Sequence, residues 1–404
     1  MSRRELVLGL LLALVLRLGF SIHAFYRPDQ PSPDGNRDYE PIALSLLDRG
    51  AYEWVPGTPT AQREPGYILF IAGAYAVSGR SPWSVILIQV LVGALTPWLL
   101  WRLGAGLFGN FCGRFAFWAA VFYPYFIYYP AYFFRETWLA FFVLGLMLFL
   151  ATRKDAAGAL GAGVFAGLLC SFNGAFAPAC GALLPAVVLF GSEKAGRWKR
   201  ALAFSAPIAL FVGPWILRNW LVFHAFVPFS SLVGYQIYGS MLVPYEALGT
   251  EEQVRLQLND PYIQGWANMP EIPWNKAFIA KDVELIRAEP GKFLKSMAVR
   301  FVKLWRVMPH QRRFTHSFGA VALAALASDG WLLPLGFFGL WLERRNRFIV
   351  LTFGAMMLLV SLAYSISHAP IRYRVPLMPL VLILAGRGAA GLWEAVRARR
   401  VRAS

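Results

Sequence analysis

Charge is scarce in this sequence of 404 residues. Only 15% of the residues are charged, whereas a soluble domain usually has about a quarter. In contrast, 57% are hydrophobic and 16% are aromatic. Long apolar stretches recur from end to end, which a soluble core would not need. The composition therefore excludes an ordinary soluble domain and predicts an all-α protein that crosses a membrane many times.

Cysteine is also scarce, and the usual signs of metal, nucleotide and nucleic-acid chemistry are missing. Cys112, Cys170 and Cys180 lie in or beside apolar stretches and lack metal-ligand spacing. The histidines show no ligand spacing either, and no Gly-rich phosphate loop or aromatic-basic motif is visible. We therefore predict no metal, no cofactor and no nucleic-acid partner.

Acidic residues are outnumbered, with 22 Asp and Glu against 39 Lys and Arg. In a membrane protein, Lys and Arg flank the helices and set their orientation. Since about 20 apolar residues cross the hydrocarbon, we predict about ten spanning helices. They are 5–25, 83–107, 113–130, 133–152, 156–172, 175–191, 201–222, 318–343, 348–366 and 375–396. Residues 156–191 also fit one re-entrant pair, and 318–343 also fits a helix that breaks near Asp329-Gly330.

The basic connectors support this count. With the N-terminus in the cytoplasm, every short, densely basic connector falls on the cytoplasmic side, including Arg153-Lys154. The first helix lacks a following cleavage site and is interpreted as an anchor. Two long outer segments remain, 26–82 and 223–315. The first holds an amphipathic stretch from Tyr39 to Leu47. The second ends in another, Pro290 to Met308, which fits an interfacial helix or one packed on the protein.

The unusual charges gather on the outer side. Charges beside membrane helices are functional candidates by default. These candidates are Asp34, Asp38, Glu40, Arg63 and Glu64 in the first outer segment, Arg135 and Glu136 at the outer start of the fourth helix, Arg218 near the end of the seventh, and His368, Arg372, Tyr373 and Arg374 before the last. Distant parts of the chain therefore bring these groups to one membrane face.

Carboxylates beside several arginines suit one kind of chemistry. A planar guanidinium binds phosphate bidentately and keeps its charge. A carboxylate can act as a general base on an acceptor hydroxyl or amine. Together they predict a site where the head group of a phosphate-bearing lipid is transferred. The same residues also fit interfacial anchors and ion pairs that only orient helices.

Four stretches resemble a known family in order along the chain. They are Asp34-Gly-Asn-Arg-Asp38-Tyr39 with the helix after it, Arg63-Glu64-Pro65-Gly66-Tyr67, Pro214-Trp215 with Arg218-Asn219 and the Ser230-Ser231 turn, and His368 with Arg372-Tyr373-Arg374-Val375-Pro376. These stretches resemble the bacterial glycosyltransferases of family 39. The family includes protein O-mannosyltransferases and lipid A aminoarabinose transferases, and has the GT-C membrane fold.

The resemblance implies a sugar donor carried on a polyprenyl phosphate. It also implies a catalytic aspartate in the first outer loop. The family often places that aspartate about four residues before the tyrosine, where this chain has Gly35. Asp34 is therefore the first choice, shifted by an inserted residue, and Asp38 is the second. Arg63 beside Glu64-Pro65 fits the family's phosphate-binding position.

These expectations describe a single GT-C-like membrane domain over 1–404, without a soluble C-terminal domain. Asp34 or Asp38 would be catalytic, and Arg63, Arg218, Arg372 and Arg374 would bind the donor phosphate. Supporting residues would be Tyr39, Glu64, Glu136, Tyr373 and His368. The acceptor, a lipid, polysaccharide or protein, would lie at the outer face of a bacterial inner membrane. The alternatives are a lipid or solute transporter and a non-catalytic subunit of an envelope assembly complex.

Overall fold

The computed structural model describes residues 1–26, 34–190, 196–244, 247, 251–265, 269–308, 318–367 and 369–403, with only the backbone at 34–37, 318 and 399–403. The helices before residue 190 are α1 (Arg3–Phe25), α2 (Asp34–Arg49), α3 (Pro65–Ser78), α4 (Pro82–Phe108), α5 (Asn110–Phe122), α6 (Pro124–Tyr128), α7 (Glu136–Thr152), α8 (Ala156–Phe172), α9 (Ala177–Ala182) and α10 (Leu184–Leu189). A hairpin joins α2 to α3, with antiparallel strands β1 (Glu53–Val55) and β2 (Thr58–Pro59).

In the described part of the chain, the remaining helices begin with the long apolar α11, continue with five shorter helices, and end with four helices up to the C-terminal α20. They are α11 (Arg197–Phe223), α12 (Val233–Leu242), α13 (Glu251–Leu258), α14 (Pro261–Gly265), α15 (Glu271–Ala288), α16 (Pro290–Leu304), α17 (Phe318–Leu342), α18 (Arg347–Ile349), α19 (Ala355–Ile366) and α20 (Met378–Ala403). A π-helical turn, Val350–Gly354, joins α18 to α19, and a 3-10 helix, Ile371–Leu377, precedes α20.

The chain is a multi-pass, all-α membrane protein, as predicted. Among the described residues, six helical segments are long and apolar enough to span a membrane. They are Arg3–Phe25, Pro82–Phe108, Arg197–Phe223, Gly319–Leu342, Arg347–Ile366 and Ile371–Ala398. The shorter apolar helices are Pro65–Ser78, Glu136–Thr152, Ala156–Phe172 and Gly174–Leu189. The ten predicted segments are therefore helical, but several are shorter than a full span.

Local sequence explains where the segments end. The predicted helix 113–130 ends at Phe122, because Tyr123 is extended before Pro124, as residues preceding proline prefer. In contrast, α17 passes through Asp329-Gly330 without a break. The predicted alternative of a break there is wrong. Asp329 forms a buried ion pair with Arg374, so its charge does not force the helix to end.

Small residues let the long helices approach closely. A Cβ at Gly163 of α8 would lie 2.3 Å from the carbonyl oxygen of Phe204 in α11. A Cβ at Gly339 of α17 would lie 1.9 Å from the carbonyl oxygen of Leu384 in α20. Such contacts are typical of helix pairs in membranes, where packing rather than hydrophobic burial drives association. They hold α8 against α11 and α17 against α20.

The outer segments are largely helical and pack on this bundle. The amphipathic stretch from Tyr39 lies within α2, and its Ile42 and Ala43 are buried. Helix α3 was not predicted, and its Tyr67, Ile68 and Ile71 are also buried in the core. The stretch from Pro290 forms α16, which packs on α19 and buries Arg300 and Leu304. The contacts favour the alternative in which this helix packs on the protein.

Candidate functional site

The first outer segment brings Asp38 and Arg63 together. Asp38 lies in the first turns of α2, and Arg63 lies between β2 and α3. Arg63 Nη2 is 3.1 Å from Asp38 Oδ1, and these side chains are 19% and 35% exposed. The Arg63 guanidinium also lies 5.5 Å from the centre of the Trp54 ring. Asp34 begins α2, but its side chain lies outside the described part of the structure.

Glu64 has a different environment from its neighbour Arg63. Its carboxylate is 2.7 Å from Arg135 Nη1 and accepts a hydrogen bond of 2.9 Å from the backbone N–H of Gly174. Arg135 also donates to the carbonyl of Phe172 at 2.6 Å. Both oxygens of Glu64 are therefore engaged in joining α3, the start of α7 and the end of α8. This arrangement fits a positioning role.

A second ion pair joins α7 to the segment before α20. Arg372 Nε is 3.0 Å from Glu136 Oε1, and the guanidinium lies over the Phe134 ring at 4.8 Å. The other oxygen of Glu136 is buried and has no hydrogen-bond partner in the described residues. Tyr373 stacks on Tyr364 with ring centres 4.4 Å apart. Arg372 is 30% exposed and is therefore accessible to a ligand.

Tyr39 lies at the centre of these charges. Burial raises the pKa of its phenol, while Arg135, Arg63 and Arg372 act to lower it and Glu136 acts to raise it. The ring is 5% exposed and packs edge-to-face on Tyr67, with centres 5.0 Å apart. The electrostatic effect of four side chains from three segments on one phenol indicates a single cluster. We call Asp38, Tyr39, Arg63, Glu64, Arg135, Glu136 and Arg372 the outer cluster.

Arg218 lies apart from the accessible pair and holds the hairpin. Its Nη1 donates to the carbonyl of Thr60 at 2.8 Å, and its Nη2 donates to the carbonyl of Tyr52 at 3.0 Å. These two carbonyls bracket the β1–β2 hairpin. The ring of Trp215 lies 5.2 Å from the guanidinium. With its donors occupied by backbone, Arg218 fits support of the loop better than the predicted phosphate binding.

Arg374 also departs from the predicted phosphate role. Its side chain is fully buried, and its Nη2 is paired with Asp329 of α17. Its Nη1 donates to the carbonyls of Leu304 and Arg306. Tyr123 donates to the other oxygen of Asp329 at 2.8 Å. A donor phosphate cannot reach Arg374 without breaking this pair, so its contacts are structural. His368 lies outside the described residues.

Sequence reasoning did not identify Glu271, at the start of α15. Its Oε1 accepts hydrogen bonds from the backbone N–H of Ala61 at 2.7 Å and from Ser231, and its Oε2 accepts from the Thr60 hydroxyl at 2.7 Å. Ser230 donates to the carbonyl of Gln62 at 2.8 Å. The second outer segment therefore holds the residues directly before Arg63. No motif marks Glu271, although the Ser230-Ser231 turn was a signal nearby.

The outer cluster combines an accessible carboxylate and two accessible guanidinium groups. Its remaining members, Tyr39, Glu64, Arg135 and Glu136, are mostly buried. Within the described residues, no group of three His, Cys, Asp or Glu side chains is arranged as metal ligands. The arrangement can take a proton at Asp38 and bind an anion at Arg63 or Arg372.

Comparison with known proteins gives a family match and several fold matches. Residues 61–217 match the family of dolichyl-phosphate-mannose-protein mannosyltransferases. This range includes Arg63, Glu64, Arg135 and Glu136, and it ends before Arg218. No curated protein matches in a sequence search. The family resemblance noted in the sequence is therefore confirmed over this part of the chain.

Solved structures establish the fold. The apo oligosaccharyltransferase of Archaeoglobus fulgidus is 15% identical, with a TM-score of 0.57 over 98% of this chain and 51% of that chain. AglB from the same organism, in complex with an inhibitory peptide and a dolichol-phosphate, is 14% identical with a TM-score of 0.50 and the same coverage. The chain thus spans about half the length of the archaeal protein.

A weaker structural match is to ArnT from Cupriavidus metallidurans bound to undecaprenyl phosphate. It is 14% identical, with a TM-score of 0.42 over 96% of this chain and 76% of that chain. That score is too low to establish a common fold by itself. The archaeal matches suffice for the fold, and the predicted GT-C architecture is confirmed.

Proposed function

We propose that this chain is a membrane glycosyltransferase that moves a monosaccharide from a polyprenyl phosphate donor to an acceptor. The observation that carries the proposal is the accessible pair of Asp38 and Arg63, 3.1 Å apart in the first outer segment. The pair combines a general base with an anion-binding group. The GT-C fold and the family match over 61–217 support the same reaction class.

The proposed reaction is a direct displacement. The acceptor hydroxyl or amine attacks the anomeric carbon, and a new bond to the sugar forms. Asp38 takes the acceptor proton, while the bond between the anomeric carbon and the phosphate oxygen breaks. The polyprenyl phosphate leaves with the bonding electrons, and Arg63 stabilises its negative charge. The anomeric configuration would be inverted.

Arg372 is the second group proposed to bind the phosphate. Its guanidinium already faces Glu136, but 30% of the side chain is exposed. Arg63 and Arg372 both act electrostatically on Tyr39, so one phosphate beside Tyr39 would be near both. Glu136 and Tyr373 would hold Arg372 in place, and Glu64 would position the start of α3 through its pair with Arg135. Arg218 would act indirectly, through the hairpin.

We place this site on the outer face of a bacterial inner membrane. The support is the distribution of basic connectors, which puts Arg153, Lys154 and the C-terminal arginines on the opposite side from the outer cluster. A lipid-linked donor also fits, because the donor phosphate would then lie at the membrane surface beside α2 and α3. The acceptor would approach from outside, as a lipid, a polysaccharide or a protein.

The experiment compares single variants of the two candidate bases in proteoliposomes. Asp38→Asn and Asp34→Asn are supplied with a panel of radiolabelled polyprenyl phosphate sugars, and transfer to envelope acceptors is measured. We expect a decrease of about 10²–10⁴-fold for the catalytic aspartate. Asp48→Asn is the matched control, because Asp48 lies on α2 but pairs with Arg80 outside the cluster. Wild-type transfer by Asp38→Asn would disprove its role as the base, and wild-type transfer by both test variants would disprove the mechanism.

A further inference from the structure

A groove runs along the membrane-facing side of the bundle, between α5 and α17. Both helices pack on α20 but have few contacts with each other. The cavity between them has a volume of about 630 Å³ and is lined by Phe111, Phe115, Trp118, Ala119, Ala327 and Trp331, among others. The rings of Phe115 and Trp331 contact each other across it, with centres 5.7 Å apart.

The polar residues in the wall of the groove already have hydrogen-bond partners within the protein. Trp331 donates its indole N–H to the carbonyl of Ala327 at 2.7 Å, and Ser328 donates to the carbonyl of Ala324 at 2.7 Å. Tyr123 donates to Asp329, away from the groove. Trp118 donates to Glu5. These donors are already satisfied by protein, so the groove offers little to water or a polar head group.

One end of the groove is different, because it is polar and basic. Arg114 lines it there, and Arg114 Nε is 3.0 Å from Glu5 Oε1. The terminal amine of Met1 donates to Asn110, which also lines the groove. Arg3 and Arg4 are exposed in the same helical turn as Glu5. Arg3, Arg4 and Arg114 outnumber Glu5 in this region, which gives it a net positive charge.

The dimensions match one lipid chain. The 13 residues of α5 correspond to a length of about 20 Å at about 1.5 Å per residue. One leaflet contributes about half of the roughly 30 Å hydrocarbon core. A volume of 630 Å³ also falls within the usual range of small-molecule sites, about 300–1,000 Å³. Because the groove opens into the hydrocarbon, a lipid chain can enter it sideways.

We propose that this groove is a binding site for an anionic phospholipid, with one acyl chain between α5 and α17 and the head group at the Arg114 rim. The phosphate would gain a charge-assisted contact with Arg114. The acyl chain would pack against the aromatic side chains that line the groove. The site lies outside the outer cluster, so it does not depend on the proposed reaction.

Native mass spectrometry of the full chain tests the proposal. After transfer from mixed vesicles of phosphatidylglycerol and phosphatidylcholine, the wild type should retain one phosphatidylglycerol. Ala327→Trp fills the groove and should reduce retention at least about tenfold, as expected when a preformed pocket is blocked. Leu210→Trp is the control, since Leu210 is an exposed apolar residue of α11 outside the groove. Arg114→Ala should weaken the preference for phosphatidylglycerol.

A second measurement uses the unaltered protein, in case the filled groove prevents folding. Phosphatidylglycerol with a photoreactive acyl chain should label peptides from 110–122 and 327–332. Labelling spread evenly over all membrane-facing helices would overturn the proposal. So would retention of the same lipid by wild type and Ala327→Trp, or displacement of phosphatidylglycerol by an equimolar polyprenyl phosphate.

Discussion

The hydroxyl of Thr60 donates a hydrogen bond of 2.7 Å to Glu271, a residue 211 positions later in the chain. This contact joins the two outer segments at a point three residues before Arg63. The same carboxylate also accepts the backbone N–H of Ala61. Two charge-assisted hydrogen bonds to a short stretch of loop restrict its position strongly. The second outer segment therefore sets where the proposed phosphate-binding arginine lies.

Replacing Glu271 should reduce transfer without removing any proposed catalytic group. In Glu271→Ala, the loop before Arg63 loses its anchor, and a displacement of about 1 Å can cost about 10²-fold in rate. We expect kcat/KM for the donor to fall by that order. Glu271→Gln keeps one acceptor oxygen and should retain more activity. The kinetics of sugar transfer in proteoliposomes measure both.

The control for this experiment lies on the same helix. Glu284 is exposed and pairs with Lys281 on α15, so Glu284→Ala should transfer sugar at the wild-type rate. A purely structural role of Glu271 would lower the thermal stability and activity together at all donor concentrations. If Glu271→Ala binds and turns over the donor normally, the outer segments do not position Arg63 in this way.

Replacing Arg63 or Arg372 with lysine should weaken binding of the donor. Lysine keeps the charge but lacks the planar fork that binds two phosphate oxygens. We expect Arg63→Lys to raise the KM for the donor about tenfold and Arg63→Ala to raise it further, with a similar order for Arg372. Arg80→Lys, an exposed arginine of the same outer segment, is the comparison. A KM unchanged in Arg63→Ala would exclude it from phosphate binding.

Breaking the Arg374–Asp329 pair should affect stability more than donor affinity. Both side chains are fully buried, and removal of one member leaves an uncompensated buried charge that costs about 3–5 kcal/mol. Asp329→Ala should therefore lower the midpoint of thermal unfolding in detergent by several degrees. Asp155→Asn, in an exposed pair with Arg153, should shift it much less. A stable Asp329→Ala with weakened donor binding would restore the phosphate role of Arg374.

Asp282 of α15 should make the stability of the chain depend on pH. Its carboxyl is 3% exposed, and neither oxygen has a hydrogen-bond partner in the described residues. Burial raises its pKa to about 7. Below the ordinary pKa of about 4, the group is protonated in both folded and unfolded chains. Between about pH 4 and pH 7 the unfolded chain ionises Asp282 while the folded chain keeps it protonated, so stability is lost progressively across this range and the loss is complete above about pH 7.

Asp282→Asn removes this ionisation. The variant and the wild type should unfold at similar temperatures near pH 4, and the variant should be more stable by about 2–4 °C at pH 8. Differential scanning fluorimetry across this range measures the gap. Glu284 is an exposed acidic residue of the same helix. The difference in unfolding temperature between Glu284→Gln and wild type should therefore not increase with pH. A constant difference between Asp282→Asn and wild type at all pH values would contradict the assignment.

Much of the fold could be read from the sequence because apolar length and charge placement are local properties. The long apolar runs and the amphipathic helix after Asp38 followed directly from residue pattern. Helix α3 was missed because its 14 residues are too short to span a membrane and lie inside a segment assigned to the outside. Its burial depends on contacts with α2, α4 and α8, which no local pattern records.

The candidate site, like the fold, could be predicted from the sequence only in part. Topology and the family motif brought Asp38, Arg63, Glu136 and Arg372 to one face from the sequence alone. They could not separate accessible arginines from structural ones, because Arg372 and Arg374 are two residues apart with the same side chain. Arg374 points to Asp329 and is buried, while Arg372 pairs with Glu136 and remains partly exposed. The sequence by itself determined the membrane architecture, since crossing hydrocarbon demands long apolar helices. Only the tertiary structure decided which charges are neutralised inside the bundle and which are left to meet a ligand, because that depends on partners distant in the chain.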